Sequence, residues 1–242
     1  MPIKVARQQL CCADGIVESK TPSPRAAGMH HLQLAGSPSQ RGLEMDAEAA
    51  LKHVLARLDV DANRIILYGK SLGGAVALHT ASKHESLIRA AVVENSFLSV
   101  PEMVPRLFPF LSFAFGQNGF LNFLVTNKWQ NRDCVRQVKS TPLLLIASKQ
   151  VSPAFNSMAV MHSCGLDTSR VRVLMSLTVA SEPDMQDELV PFEHMERMKE
   201  LAVTKYKMWT ECPQSGHMDA YEVDSVLYWH ALKDFWTQYV QA

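Results

Sequence analysis

The feature that most constrains the fold is a serine between glycines, at the junction of a short apolar run and a run of small residues. Residues 65–68 read Ile-Ile-Leu-Tyr, and Gly69-Lys70-Ser71-Leu72-Gly73-Gly74 follows directly. The apolar run is typical of a strand buried on both faces, and the small residues from Leu72 onward predict a helix. Glycines on either side of Ser71 allow a close approach of strand and helix, with Ser71 itself in a strained backbone conformation. The pattern therefore predicts a sharp strand-to-helix turn with an outward-pointing hydroxyl.

The rest of the chain alternates between helical and strand patterns. Residues 1–40 lack either period and contain the breaker cluster Thr21-Pro-Ser-Pro24, so we expect a poorly ordered tail there. Apolar positions at helical spacing from Leu43 predict an amphipathic helix of about four turns. Further strands are predicted at 91–94, 142–147 and 206–212, and further helices at 72–82, 193–203 and 223–240. Alternation of this kind predicts an α/β fold, with a parallel sheet covered by helices on both faces.

Candidate catalytic groups follow the serine in a meaningful order. A serine hydroxyl attacks efficiently only when a base removes its proton and a carboxylate orients that base. Asp187 precedes the helix at 193–203 and His217 follows the strand at 206–212, so the chain order is Ser71, Asp187, His217. Asp184 and Glu94 compete with Asp187 as the orienting acid. The N–H of Leu72, at the start of the predicted helix, can face a developing oxyanion.

Composition narrows the class of partner. The chain has 242 residues, with 24 Lys and Arg against 24 Asp and Glu, so no net field attracts nucleic acid. Its five cysteines include no C-x-x-C pair, which favours free thiols in a reducing compartment over zinc or redox chemistry. The N-terminus lacks the apolar stretch of a signal peptide, so the chain as given reads as cytoplasmic. No metal or organic cofactor is called for.

The most apolar segment of the sequence is residues 97–125. Pro101, Pro105, Pro109, Gly116 and Gly119 interrupt it, which argues against a membrane-spanning helix. Core packing under a cap is the favoured interpretation. A lid, an acyl-binding wall and contact with a membrane surface remain open alternatives.

Taken together, these motifs resemble the alpha/beta hydrolases, and within them the bud-emergence group. The likeness covers residues 36–150 and 187–240. Its motifs are Gly36-Ser-Pro-Ser39, Gly42 with Asp46-Ala47, Gly69-Lys-Ser-Leu-Gly-Gly-Ala-Val76, Val93-Glu-Asn-Ser-Phe-Leu-Ser99, Asn127-Lys-Trp129, Asp187-Glu-Leu-Val-Pro191 and Ser215-Gly-His-Met-Asp219. The resemblance implies an alpha/beta hydrolase fold of the serine aminopeptidase S33 type, with Ser71 as nucleophile, Asp187 as acid and His217 as base. Members of the group are often anchored to membranes by an N-terminal segment.

Two departures from the family pattern lead to further expectations. Residues 1–35 contain neither the family's first strands nor its His-Gly loop, which donates the second oxyanion N–H. We therefore treat 1–35 as a non-homologous tail and 36–242 as a partial hydrolase domain, with the sheet edge beside 65–68 left unpaired. Residues 151–186 separate the strand at 142–147 from the acid loop and are interpreted as a non-family insertion. Gln150-Val151-Ser152 and Gln186 can be encoded by splice-site sequences, which favours an in-frame retained intron or a gene-model error.

The resemblance implies serine hydrolysis of an ester, thioester or amide, acting on a small-molecule or acyl substrate. The alternative is a catalytically inactive truncated isoform, or a hydrolase-fold scaffold or membrane-surface binding protein. Loss of one oxyanion donor typically reduces turnover by about 100- to 1,000-fold, which makes the inactive alternative a serious one.

Overall fold

The computed structural model describes residues 39–149, 173–177 and 190–241. Seven helices and five strands lie in these ranges, together with four single turns of 3₁₀ helix at Ala62–Arg64, Glu85–Leu87, Pro109–Leu111 and Asn122–Leu124. In chain order they are α1 (Gln40–Leu55), β1 (Ile65–Lys70), α2 (Leu72–Lys83), β2 (Ala90–Glu94), α3 (Val100–Leu107), α4 (Asn131–Gln137), β3 (Leu143–Ser148), β4 (Val173–Leu177), α5 (Phe192–Leu201), β5 (Lys207–Cys212), α6 (Ala220–Val223) and α7 (Ser225–Tyr239).

The five strands form one sheet in the order β4-β1-β2-β3-β5. Every neighbouring pair is parallel, and Lys70 at the end of β1 lies opposite Glu94 at the end of β2. Parallel strands place their carboxyl ends at one edge, so the segments after β1, β2, β3 and β5 meet there. The predicted α/β class with a parallel sheet is confirmed.

Alternate residues of the strands belong to two separate cores, as the twofold side-chain period of a strand requires. Ile65 and Leu67 pack on the side covered by α1, α2, α4 and α5. Ile66 packs on the other side, with Tyr228 and Phe235 of α7. Both faces of the sheet are therefore covered, which explains the continuous apolar runs of the central strands.

The helix boundaries follow local chemistry. Helix α1 begins at Gln40 because the Ser39 hydroxyl accepts a hydrogen bond from the Gly42 N–H at 3.1 Å. The closing helix predicted at 223–240 is present as α7, which begins at Ser225, and the short α6 ends just before it at Val223. Asp224, between them, is buried and its carboxylate faces the loop after β5, which accounts for the interruption.

The expectation of an unpaired edge beside β1 is wrong. Strand β4 pairs with β1 along its length, from Ile65 opposite Val173 to Gly69 opposite Leu177. Residues 173–177 lie within the segment interpreted as an insertion, and they pair with β1 on the side away from β2. An unpaired strand edge is costly and prone to aggregation, so this pairing protects β1.

The expectation of core packing for 97–125 holds at its beginning and at Ala114, but not for most of its large apolar side chains. Phe97, Leu98 and Met103 are buried, whereas a group of large apolar side chains further along is exposed. The exposed group, named here the aromatic patch, comprises Phe108, Phe110, Phe113, Phe120, Phe123 and Leu124. The chain after α3 runs in short turns rather than in a helix with one apolar face, and among the residues described above these rings enter no core. Within the part of the chain that the structure describes, no helix is long and apolar enough to cross a bilayer.

Candidate active site

Ser71 occupies a sharp bend between β1 and α2. Its backbone has φ 54° and ψ −121°, in the left-handed half of the map that a non-glycine residue rarely adopts. A Cβ on Gly69 would lie 2.1 Å from the Gly73 carbonyl oxygen, and a Cβ on Gly74 would lie 2.7 Å from Ser96 Cβ. The glycines thus permit the close approach that the sequence predicted, although the second tight contact falls at Gly74.

Backbone and side-chain hydrogen bonds hold the bend on both sides. The Ser71 N–H donates to the Glu94 carbonyl at 2.8 Å, and the Ser96 hydroxyl donates to the Ser71 carbonyl at 2.9 Å. The Ser71 side chain makes no capping hydrogen bond and is half-buried. Leu72 is the first residue of α2, so its N–H has no acceptor within the helix and lies at the positive end of the helix dipole.

The loop that carries His217 is fixed by side chains from three strand ends. Asn95 Nδ2 donates to the His217 carbonyl at 2.9 Å, and Lys70 Nζ donates to the next carbonyl, that of Met218, at 2.8 Å. Ser215 Oγ contacts Ser148 Oγ at 3.1 Å, at the last residue of β3. Lys70 directly precedes Ser71, so one side chain links the serine bend to the histidine loop.

His217 is half-buried, with its Nε2 atom shielded from solvent, and its environment favours the neutral imidazole. Burial is the largest cause of a pKa lowered to about 4; the Lys70 ammonium lowers it further, and the Glu94 carboxylate opposes both. A neutral imidazole above about pH 5 can accept a proton, as a general base must. Its Nε2 is buried and has no hydrogen-bond partner among the described residues. Ser71 and His217 are therefore not joined through Nε2 here, and catalytic hydrogen bonds often tighten only when substrate binds.

Glu94, the alternative acid, is occupied by other groups. Its carboxylate pairs with Lys70 Nζ at 3.0 Å and accepts from the Tyr228 hydroxyl at 3.0 Å and from the Tyr68 hydroxyl. Burial and the Glu94 charge raise the pKa of both tyrosines, so both phenols stay protonated and donate. With one ammonium paired to Oε1 and two hydroxyls donating to Oε2, Glu94 is poorly suited to orient an imidazole.

Several predicted positions lie outside the described residues. They include Asp187, its competitor Asp184, the tail at 1–35 and most of 151–186. Helix α5 begins at Phe192, shortly after Asp187, and packs against the start of the segment after β2, where the Leu98 N–H donates to His194 Nδ1 at 3.2 Å. The catalytic roles of Ser71, Asp187, His217 and Leu72 stay predictions.

Sequence reasoning missed two residues of this site, Lys70 and Asn95. A signal existed for Lys70, because a lysine is unusual at the end of a strand buried on both faces. Asn95 follows a buried strand and has a φ of 46°, a conformation that asparagine tolerates better than most residues.

The described part of the chain contains no cluster of three metal-ligating side chains and no activated thiol. It contains no group of three His, Cys, Asp or Glu side chains arranged to hold a metal ion. Cys134 and Cys212 are free thiols, and burial raises the pKa of both, that of Cys212 to about 12. Neither sulfur is therefore activated as a nucleophile.

Comparison with known proteins identifies the family to which this sequence and fold are similar. The chain matches the model of the alpha/beta hydrolase family over residues 21–226. It is 29% identical to the alpha/beta hydrolase domain-containing protein WAV2 of Arabidopsis thaliana over 84% of this chain and 56% of that protein. It is 30% identical to the bem46 protein of Schizosaccharomyces pombe over 54% of this chain and 42% of that protein.

The chain thus spans about half the length of these curated relatives. Among solved structures, the fold is similar to that of the Pyrococcus furiosus esterase Pf2001, with a TM-score of 0.52 at 14% identity over 81% of this chain and 62% of that one. The family model matches most of the chain, and the parallel sheet and the bend at Ser71 are consistent with that match. The protein belongs to the alpha/beta hydrolase family.

Proposed function

We propose that the protein is a serine hydrolase that cleaves an ester, thioester or amide through Ser71, His217 and Asp187. The observation that carries the proposal is the positive φ of Ser71 at the bend between β1 and α2. Strain of this kind persists where the surroundings enforce it, and here the contacts at Gly69 and the bond from Ser96 enforce it. Backbone strain at an isolated serine is a recognised mark of a functional position.

In the proposed reaction, His217 removes the Ser71 proton as the hydroxyl oxygen attacks the substrate carbonyl. Asp187 orients the imidazole and stabilises its charged form. The Leu72 N–H donates to the oxyanion, which forms beside the positive end of α2. The imidazolium then protonates the leaving group, and water releases the acyl group from Ser71 by the same sequence of proton transfers.

The low pKa of His217 is compatible with this role. An imidazole that is neutral across the physiological range is ready to accept a proton. A carboxylate placed beside it would favour the imidazolium during the reaction, which is the task assigned to Asp187. The proposal therefore requires the acid loop to approach the ring opposite Nε2.

A fluorophosphonate probe tests the proposal because it reacts only with an activated serine. We expect labelling of the full chain and its loss in Ser71→Ala. Ser82→Ala is the matched control, since Ser82 lies near the far end of α2 and should leave labelling unchanged. His217→Ala should reduce the rate of labelling by at least about 1,000-fold. Equal labelling of wild type and Ser71→Ala would overturn the assignment, and absence of labelling would favour an inactive scaffold.

A second candidate function, contact with a membrane surface through 97–125, is favoured by the aromatic patch. Its exposed rings include Phe110, Phe113 and Phe123, each more than two-thirds exposed. Aromatic side chains are favoured at the membrane interface, and no acidic residue occurs between Glu102 and Asp133. Co-sedimentation with anionic vesicles should survive Ser71→Ala and be lost when these three rings are replaced by serine. Retained binding after that replacement would exclude the patch.

A further inference from the structure

A buried ion pair lies directly beside the serine bend. Lys70 Nζ and Glu94 Oε1 are 3.0 Å apart, with side chains 9% and 0% exposed. The two residues face each other across β1 and β2, on the same side of the sheet as Tyr228. Removing two charges from water is costly even when they pair, and apolar residues at such positions are often at least as stabilising. A purely structural advantage therefore explains this pair poorly.

The pair is held firmly on its acidic side. Tyr68 and Tyr228 both donate to Glu94 Oε2, and their hydroxyls lie 2.8 Å from each other. With its carboxylate fixed in this way, Glu94 restricts where the Lys70 ammonium can lie. The Tyr221 ring, 5.6 Å from Lys70 Nζ, bounds the ammonium on the side of α6.

On its other side, Lys70 reaches the histidine loop. Its ammonium donates to the Met218 carbonyl at 2.8 Å, while Asn95 donates to the preceding carbonyl, that of His217, at 2.9 Å. Two consecutive peptide groups are thus fixed by residues next to the serine bend and at the end of β2. These bonds set the backbone from which the imidazole projects.

We propose that Lys70, held by Glu94, is a positioning residue that fixes the backbone of the loop carrying His217 and so places the imidazole for reaction with Ser71. The proposal rests on the proposed serine hydrolase function, in which His217 is the base. Lys70 acts in two ways, since its hydrogen bond fixes the loop and its positive charge opposes a second positive charge on the ring. Glu94 moderates the second effect because its negative charge acts in the opposite direction.

The other charged groups near the loop have separate partners. Asp224 accepts from the N–H groups of Gln214 and Ser215, and Asp219 accepts from the Gly216 N–H at 2.6 Å. The charged groups on this side that shift the His217 pKa are Lys70 and Glu94. The uncharged ionisable side chains packed there are Tyr68, Cys212, Tyr221, Tyr228 and Tyr239. Lys70 is the cation among the described residues that acts on His217.

The test combines two measurements on the full chain. The first is the pH dependence of fluorophosphonate labelling, and the second is a histidine NMR titration in which His217→Gln identifies the resonance among nine histidines. Lys70→Gln removes the charge and shortens the donor. We expect the pKa of His217 to rise by about one unit and the plateau rate of labelling to fall by about 10-fold.

Three further variants sharpen the result. Lys70→Arg retains the positive charge and should keep the pKa of His217 near its wild-type value. If Lys70→Gln does not fold, the double variant Lys70→Gln/Glu94→Gln removes both charges. In that variant the pKa of His217 should rise by less than one unit, because the Lys70 and Glu94 charges shift it in opposite directions. Lys52→Gln, an exposed lysine of α1, controls for loss of a positive charge elsewhere and should change neither measurement.

The outcomes separate the two proposals. If wild type is not labelled at any pH, the serine hydrolase function fails, while the NMR titration still tests the effect of Lys70 on the ring. An unchanged His217 pKa together with an unchanged plateau rate in a folded Lys70→Gln protein would overturn the positioning role, whatever the outcome of Ser71→Ala. A raised pKa with a reduced plateau rate supports it.

Discussion

Replacing Gly69 by alanine tests whether the close approach of β1 and α2 supports the serine bend. The new Cβ would lie 2.1 Å from the Gly73 carbonyl oxygen, 2.5 Å from its carbonyl carbon and 2.7 Å from the Gly74 nitrogen. Real Cβ contacts are essentially never shorter than 3.0 Å, so strand and helix must separate by about 0.9 Å. All three atoms belong to the backbone, and no side-chain rotation relieves the overlap.

The strand has little freedom to yield. Gly69 lies opposite Val93 of β2 on one side and Leu177 of β4 on the other, so β1 is held in the sheet. The start of α2 must therefore move, and Ser71 moves with it. Overpacking costs about 1–3 kcal/mol, and we expect the upper end for a backbone clash. Displacement of the nucleophile by about 1 Å should reduce the rate of labelling by about 100-fold.

The assay measures urea unfolding and fluorophosphonate labelling on the same preparations. Gly42→Ala is the matched control, because its Cβ would meet only the Ser39 hydroxyl at 3.2 Å, within the first turn of α1. That control should change the free energy of unfolding by less than about 1 kcal/mol, because the helix preference of alanine and the tight contact with the capping Ser39 hydroxyl oppose each other. The close approach at Gly69 does not support the bend if the free energy of unfolding of Gly69→Ala lies within about 0.5 kcal/mol of the wild-type value and both proteins are labelled at the same rate.

Three other predictions follow from burial and pairing. Because folding lowers the pKa of His217 from 6.5 to about 4, the unfolded state binds a proton between these pH values that the folded state does not. The free energy of unfolding should therefore fall by about 3 kcal/mol as the pH drops from 6.5 to 4. Urea unfolding at a series of pH values measures this dependence, and His217→Gln should make it weaker. Deleting 151–186 removes β4 and exposes the edge of β1, so the soluble fraction after expression should fall, and an unchanged fraction would show that β4 is dispensable. Phe235→Ala, at a ring 1% exposed, should cost about 3–5 kcal/mol by thermal unfolding, whereas Phe110→Ala, at a ring 71% exposed, should cost less than about 0.5 kcal/mol.

The parts of the fold that could be predicted are those encoded by neighbouring residues. The run at 65–68 and the glycines after it specify β1, the bend and α2 locally, because steric limits on the backbone leave few alternatives. The order of strands and helices then implied the parallel sheet. The order of Ser71 and His217 along the chain placed both at the carboxyl ends of strands, where the structure has them.

What could not be predicted depends on partners that are distant in sequence. Lys70 and Met218 are 148 positions apart, and no local pattern identifies their hydrogen bond. The apolar rings of 97–125 suggested a core, but apolar character does not reveal whether a covering element exists. Residues 173–177 carry an ordinary strand sequence, Val-Leu-Met-Ser-Leu, and were overlooked because the family pattern assigned them to an insertion.

The pairing of β4 with β1 has a consequence for the order of events during synthesis. Residue 70 leaves the ribosome roughly a hundred residues before residue 177, a delay of about 5 to 20 s at ordinary rates of translation. Throughout that interval the nucleophile-bearing strand has one side without its final neighbour. A nascent chain paused before residue 173 should therefore depend on chaperones to a degree that one paused after residue 177 does not.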